Sequence, residues 1–587
     1  MEPVVERVVA TIGEGSCSSP VTGPGTVHVG GLEVALGEVR PGIPVPWSLT
    51  NAGDVPVRVR SVAVVLRLPR SSTPVRMLRH GYQSWSPTDV AVFGVDRDPS
   101  TTPGALEMVQ GIHHADQRRA LDGELRSEWV TVLRDAAGRT MLAGFDGGIE
   151  HDGTWRLRPS GDREGTPELW AEAFLGDAQL GPGESRALHP FVTEPVNDGD
   201  VCAALDRWAR RVGSLGGARI SAPYQVGWCS WYHYFHGVTE QHVRDNLFLA
   251  GDWPFEVFQI DDGYQSAIGD WLTTNDKFPS SLDALAGAIS AAGRRPGIWL
   301  APFIVAPDSE VARRHPEWLA RFADGQPLWG MVNPEWGGGR GGVMYALDTT
   351  LPEVLAHIEE VCRSLVDAGF TYLKLDFTFA PSFDGVWSDP SRTPAQRVRA
   401  GYEAVRRGAG DGTFLLGCGA PLSHVVGLVD GNRIGPDVAP TWSLKGADPV
   451  LRGYEATAPA TLHSWASTLS RSFMHRRLWL NDPDCLMLRT DETDLTAEAI
   501  TTWAHAVGVS GGMALVSDDL ALLGAGARSL LDDVVAIGRA ADRAAIEGAA
   551  PRCEDLMDTP VPTTLTAAGY ALTADPATAT STLSRPA

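Results

Sequence analysis

Eight times between residues 226 and 517 a short apolar stretch recurs, and between most of these stretches the pattern turns helical. They are Val226-Gly227-Trp228-Cys229-Ser230-Trp231, Val257-Phe258-Gln259-Ile260-Asp261-Asp262, Pro296-Gly297-Ile298-Trp299-Leu300, Tyr372-Leu373-Lys374-Leu375-Asp376-Phe377, Thr413-Phe414-Leu415-Leu416-Gly417-Cys418, Asn432-Arg433-Ile434-Gly435-Pro436-Asp437, Leu478-Trp479-Leu480-Asn481-Asp482 and Gly512-Met513-Ala514-Leu515-Val516-Ser517. Leu351 to Ala368 is one such helical pattern, with Gly369 as its stop. Strands alternating with helices are the mark of repeated βα units, and eight of them predict a (β/α)8 TIM barrel. A barrel also predicts where chemistry belongs, at the C-terminal ends of its strands.

The fourth stretch is the most informative. Leu373, Leu375 and Phe377 alternate with Lys374 and Asp376, the period of a short strand. A lysine and an aspartate on one face of a buried strand need partners, because an unpaired buried charge is strongly unfavourable. They form either a structural ion pair inside the barrel or part of a site at its mouth. In the second case Lys374 is expected to lower the Asp376 pKa and hold the carboxylate ionised.

The barrel does not use up the 587 residues. Residues 1–215 read as all-β, with Val55, Val57 and Val59 alternating with Pro56, Arg58 and Arg60 and with turn clusters such as Asn51-Ala52-Gly53-Asp54. That predicts an N-terminal β-sandwich, a catalytic barrel over 216–547 and a small C-terminal β unit over 548–587. The last stretch, Asp575 to Ala587, is Ala/Thr/Pro/Ser-rich and reads as a loose tail. Within the sandwich, His80-Gly81-Tyr82-Gln83-Ser84-Trp85-Ser86 is either a corner packed by its aromatics or a loop over a pocket.

A net charge of −23 argues against nucleic acid and anionic membrane as partners. It favours a neutral or cationic small molecule. The N-terminus lacks the basic and apolar blocks of a signal peptide, and no apolar run reaches the ~18 residues of a membrane span. Seven scattered cysteines without metal-type spacing fit reduced thiols in the cytoplasm. No cofactor or metal is expected. A homo-oligomer is possible.

Acids gather where the strands end: Asp261 and Asp262 after the second, Asp376 in the fourth, Asp437 after the sixth, Asp482 and Asp484 at the seventh. Trp228, Trp231, Trp271, Trp299, Trp329, Trp442 and Trp479 accompany them. Each tryptophan has core packing as its alternative. Carboxylates accept hydrogen bonds from sugar hydroxyls and indoles stack on the apolar faces of sugar rings, so a small carbohydrate is the expected partner. Glycoside chemistry needs two carboxyl groups, one to attack or activate water and one to protonate the leaving oxygen. Asp437, turned inward by Gly435-Pro436, is the candidate partner of Asp376, unless it caps the following segment.

Taken together, Gly227-Trp228-Cys229-Ser230-Trp231, Gln259-Ile260-Asp261-Asp262-Gly263, Lys277-Phe278-Pro279, Lys374-Leu375-Asp376, Arg433-Ile434-Gly435-Pro436-Asp437 and Trp479-Leu480-Asn481-Asp482-Pro483-Asp484 resemble glycoside hydrolase family 36, the α-galactosidases and their relatives. The resemblance spans most of 225–490 and implies a retaining, exo-acting α-galactosidase working through a covalent glycosyl-enzyme. It makes Asp376 the nucleophile and Asp437 the acid/base. It makes Asp261, Asp262, Lys374 and Arg433 sugar contacts, and sets Cys418 near the 2-hydroxyl. Three stretches depart from the family pattern: Tyr264 after Asp-Asp-Gly, Leu300-Ala301-Pro302-Phe303 after Trp299, and Gly419-Ala420-Pro421 after Cys418.

Other readings stay open. A raffinose-synthase-like galactosyl transferase would share every catalytic residue, and a related α-glycosidase would differ in its terminal sugar. A metal hydrolase would need strand-end histidines, and His233 and His236 lack ligand spacing. A non-catalytic sugar-binding protein would have lost a carboxylate, and both are present.

Overall fold

The structure is a computed structural model, and it describes residues 3–69, 74–98, 112–160, 167–336, 341–444 and 458–586. The N-terminal part is two antiparallel sheets. One has six strands and centres on Val57–Arg67 beside Pro167–Leu180; the other has eight and centres on Ser185–Pro195 between Val45–Asn51 and Thr140–Phe145. Val62, Val64 and Leu66 turn one face of the long strand into the core. Its other face is covered too, so Arg60 is buried rather than solvated and reaches Asp116 at 2.6 Å and Asp384, on a barrel loop, at 2.9 Å. Charged residues are tolerated on that face because each finds a partner there.

The all-β expectation for 1–215 fails at its end. Val201–Gly216 is a helix that joins sandwich to barrel. Val201, Ala204, Leu205, Trp208 and Val212 lie on its buried stripe, the 3.6-residue period of an amphipathic helix. Asp200 caps its first turn and Gly217, at φ 63°, ends it in the left-handed region.

The barrel has all eight expected strands: β1 (Val226–Cys229), β2 (Val257–Ile260), β3 (Arg295–Leu300), β4 (Tyr372–Leu375), β5 (Phe414–Gly417), β6 (Gly431–Arg433), β7 (Leu480–Asp482) and β8 (Ala514–Val516). They run parallel in sequence order, with β8 beside β1. The seam between β7 and β8 is stitched by Met513 N–H to the Asn481 carbonyl at 2.9 Å. Leu486 then bridges to Leu515 and Ser517. The helix expected over 351–368 is Pro352–Asp367; proline stands in its first turn and Gly369, at φ 109°, follows it.

Two features were not legible in advance. A three-stranded antiparallel sheet (Ile304–Val305, Val343–Ala346, Trp329–Val332) is inserted between β3 and β4. The expected loose tail also carries a strand: Thr580–Ser584 pairs with Tyr570–Asp575 in a four-stranded C-terminal sheet. Its threonines at 580 and 582 have the β-branching that favours extended backbone. That sheet is tied to the barrel by Thr502 Oγ1, which donates to the Ala579 carbonyl at 2.9 Å.

Candidate active site

The site is built at the C-terminal ends of the strands. In β4, Leu373 and Leu375 face outward and Lys374 points to the axis, with Asp376 just past the strand. Register brings Trp299 of β3 opposite Lys374. The Trp299 Nε1–H donates to Asp376 Oδ2 at 2.9 Å, and the Phe377 N–H donates to Oδ1 at 2.9 Å. Phe377 adopts φ 51°, unusual for a bulky residue and of a kind found where function dictates backbone. Both Asp376 oxygens are thus fixed in direction.

Lys374 Nζ lies 2.9 Å from Asp261 Oδ2 and 3.9 Å from Asp376 Oδ2, so its nearer partner is Asp261. This corrects the expected pKa of Asp376. Burial raises it, and Asp437 and Asp261 add to the rise; Lys374 and the Trp299 hydrogen bond only partly oppose it. Burial disfavours the charged lysine, but Asp261 and Asp376 beside it outweigh that and raise its pKa.

Asp261 and Asp262 follow β2. Asp261 Oδ1 accepts from the Asp262 N–H at 2.9 Å, and Cys229 and Gln259 approach Oδ2. Asp262 Oδ1 accepts from Gln265 Nε2 at 2.6 Å and Oδ2 from Trp336 Nε1 at 2.7 Å. After β6, Arg433 is a buried hub. Its Nη1 lies 3.0 Å from Asp437 Oδ1, its Nε 3.0 Å from Asp482 and its Nη2 2.8 Å from Asp484. Asp484 Oδ2 also accepts from the Val438 N–H at 2.9 Å, beside Asp437, and from the Tyr232 hydroxyl. Asp484 is held above the usual carboxylate range by burial, against the pull of Arg433. Asp437 keeps a third of its side chain exposed.

A cavity of about 290 Å³ gathers Asp261, Asp262, Trp231, Trp299, Lys374, Asp376 and Asp437. Four expected contacts lie outside its lining. Trp228 is fully buried, stacked 4.3 Å from Phe258 with its Nε1–H on the Asp518 carbonyl. Trp271 packs edge-on against Trp299, at 5.6 Å, and lines a separate surface groove. Cys418 is buried beside the β4 end, and Arg433 stands behind Asp437. Of the other tryptophans, Trp479 is core, Trp442 bonds to Pro576 of the C-terminal sheet and Trp329 is exposed on the inserted sheet.

Sequence reasoning missed Trp336, Met331 and Asn333, which the inserted sheet delivers to the cavity. The available signal was the aromatic-rich Trp329-Gly-Met-Val-Asn-Pro-Glu-Trp336, set between two barrel strands. The segment 80–86 does both things considered for it. Tyr82 is buried in packing, while Trp85 lines the cavity, edge-on to Phe377 at 5.0 Å. The segment is zipped to the loop after β5: Gln83 bridges Pro421, and the Ser84 N–H donates to the Ala420 carbonyl at 3.1 Å. Arg471 pins it from below, donating to the carbonyls of Ser84 at 2.8 Å and Gly81 at 3.2 Å. Gly419, at φ 54°, lies against Trp85, where a Cβ would come within 3.0 Å of the indole. Gly419-Ala420-Pro421, one of the departures from the family pattern, is therefore the seat of this loop. The other two are core: Tyr264 donates to the Trp299 carbonyl at 3.1 Å, and Phe303 packs on Tyr402. Among the described residues no three His, Cys, Asp or Glu side chains converge as a metal site, and no helix is long and apolar enough to cross a membrane.

A barrel that gathers carboxylates and indoles around one cavity at its strand ends has the groups that can hold a sugar ring. The Melibiase family model matches residues 228–380. The α-galactosidase AgaA of Geobacillus stearothermophilus is 26% identical over 281 residues, 46% of this chain and 37% of the relative. The A type blood α-D-galactosamine galactosaminidase of Flavonifractor plautii is 27% identical over 267 residues, 41% of this chain and 23% of the relative. These alignments span about a third or less of the curated relatives' length. Among solved structures, the Thermus thermophilus α-galactosidase TtGalA in complex with p-nitrophenyl α-D-galactopyranoside matches with a TM-score of 0.68 at 26% identity, covering 93% of this chain and 98% of that one. The crystal structure of AgaA itself, at 15% identity and a TM-score of 0.59 over 97% of this chain and 80% of that one, shares the fold. By these matches the chain is similar to the α-galactosidases of glycoside hydrolase family 36.

Proposed function

We propose that this protein is an exo-acting α-galactosidase that hydrolyses terminal α-galactosides with retention, through a covalent glycosyl-enzyme. The observation that carries the reading is the cavity itself. Asp376 is held by two donors and Asp437 by a guanidinium, both facing one space walled by Trp231, Trp299 and Trp336. In this reading Asp376 attacks the anomeric carbon while Asp437 protonates the departing oxygen, and Asp437 then deprotonates the water that releases the sugar. Asp261, Asp262 and Lys374 hold the hydroxyls of the terminal ring, and Arg433 orients Asp437. The names of the relatives and the galactoside held by TtGalA support galactose as that ring. The barrel, 216–547, carries the chemistry, and the sandwich, 1–215, lends Trp85. Seven unpaired cysteines fit a reducing compartment, and we assign the enzyme to the cytoplasm.

The test is to follow an aryl α-galactoside by NMR. Retention requires α-galactose as the first product, before mutarotation; β-galactose appearing first overturns the mechanism. Specificity is checked separately. A buried carboxylate deprived of its hydroxyl partner penalises a mismatched sugar heavily. Asp261→Ala and Asp262→Ala are each expected to lower kcat/KM on the α-galactoside by roughly 100-fold or more, with circular dichroism unchanged. Wild-type enzyme cleaving α-glucoside as well as α-galactoside would remove this role.

A further inference from the structure

We propose that His236 is a positioning residue that ties the inserted sheet to Asp262, and so sets affinity for the terminal sugar rather than the rate of bond cleavage. The inference rests on the reading of Asp262 as a sugar-binding carboxylate. His236 sits on the loop after β1, its ring edge-on to Trp231 at 5.0 Å. Its Nδ1 lies 3.3 Å from Asp262 Oδ2 and its Nε2 3.0 Å from Glu335 Oε2. Glu335 is the neighbour of Trp336, whose indole N–H donates to that same Asp262 oxygen at 2.7 Å. The loop after β1, the end of β2 and the turn that carries Trp336 thus meet at one imidazole.

The chemistry of this bridge fixes its charge. Ionised carboxylates only accept hydrogen bonds, and one stands at ion-pair distance from each ring nitrogen, so a ring that serves both must donate from both. Only the imidazolium has two N–H groups. A neutral ring can serve Asp262 or Glu335, not both, and the turn loses one of its ties. The charged groups facing His236 among the described residues are Asp262, Glu335 and Lys277, whose Nζ donates to the His236 carbonyl. Burial and Lys277 disfavour the imidazolium, but the two carboxylates outweigh them and raise its pKa above the ordinary 6.5. Because the folded-state value is raised, the bridge is complete below the ordinary imidazole range and is lost as pH rises through the elevated pKa. Glu335 keeps 73% of its side chain exposed, so this tie can be altered without disturbing a core.

The test measures KM and kcat on an aryl α-galactoside, and the affinity for free D-galactose by calorimetry, across pH. For wild type, KM is expected to climb as pH rises past the imidazole range while kcat shows no matching fall. His236→Ala should raise KM and weaken galactose roughly tenfold, the scale of one lost bond to a charged group, at nearly constant kcat. Glu335→Gln should weaken galactose less and move the KM inflection to lower pH. His236→Arg, a cation at every pH, should restore affinity and flatten the profile. If the wild type turns over no α-galactoside, the proposed function itself fails. If it does so and both His236→Ala and Glu335→Gln leave galactose affinity within twofold, or lower only kcat, the positioning role is overturned and the function stands.

Discussion

Asp376→Asn is expected to lower kcat by several orders of magnitude, on the order of 10⁴-fold, while leaving the fold intact. The substitution removes the attacking charge and keeps the volume. The amide oxygen can still accept from one of the two donors that fix Asp376, the Trp299 N–H or the Phe377 N–H, and only the other loses its acceptor. Stability should move the other way. The Asp376 pKa is raised by burial, so the folded protein holds that proton more tightly than the unfolded chain does. Stability is therefore full below the unfolded value and falls as pH rises through the folded one. Asn has no charge to bury, and its melting temperature at neutral pH should match or exceed that of wild type. Azide is expected to rescue Asp376→Gly by entering the vacated space and giving a glycosyl azide of inverted configuration. Near-wild-type turnover in Asp376→Asn would sink the assignment.

The second large effect concerns Asp437. Protonation of the leaving oxygen matters most when the leaving group is poor. Asp437→Ala is expected to lower kcat/KM on a galactosyl disaccharide by roughly 10³-fold or more, yet to spare the first step with a dinitrophenyl leaving group. Release of the sugar then becomes limiting, and a burst of phenolate should precede the slow steady state. Azide should speed the steady state and yield a product of retained configuration. Equal loss on good and poor leaving groups, with no azide effect, would move the acid role elsewhere. Asp482 and Asp484 at the end of β7 are the other candidates, but both are buried behind Arg433, whereas Asp437 opens to the cavity. Their position suits them to hold Arg433 still.

The strands of the barrel were legible because parallel strands are buried on both faces and read as short apolar runs. Acids were legible as strand-end residues for the same reason: nothing in a buried strand explains Asp261, Asp376 or Asp437. The tryptophans were not separable in this way. Trp228 and Trp231 stand three residues apart in one motif, yet one stacks on Phe258 and the other faces the cavity. Which it is depends on where β1 ends, at Cys229, a boundary that periodicity does not fix to the residue. Trp336 was hidden because the inserted sheet breaks the βα rhythm that guided the reading. The Asp376 pKa went the wrong way because burial, which sequence adjacency to Lys374 does not reveal, outweighs the lysine, and Lys374 itself lies closer to Asp261, over a hundred residues earlier.

The zipper between residues 82–84 and 420–422 bears on how the enzyme comes into being on the ribosome. Domains emerge and fold N-terminus first. The sandwich is complete long before the loop after β5 has been synthesised, so Trp85 waits with its neighbouring backbone donors and acceptors open. Those groups are the template on which Gly419 to Leu422 settle when they arrive. Arg471 can lock the join only later still, and β8 closes the ring last. The cavity is therefore among the final things to form, and the appearance of catalysis during translation marks the docking of two separately built parts.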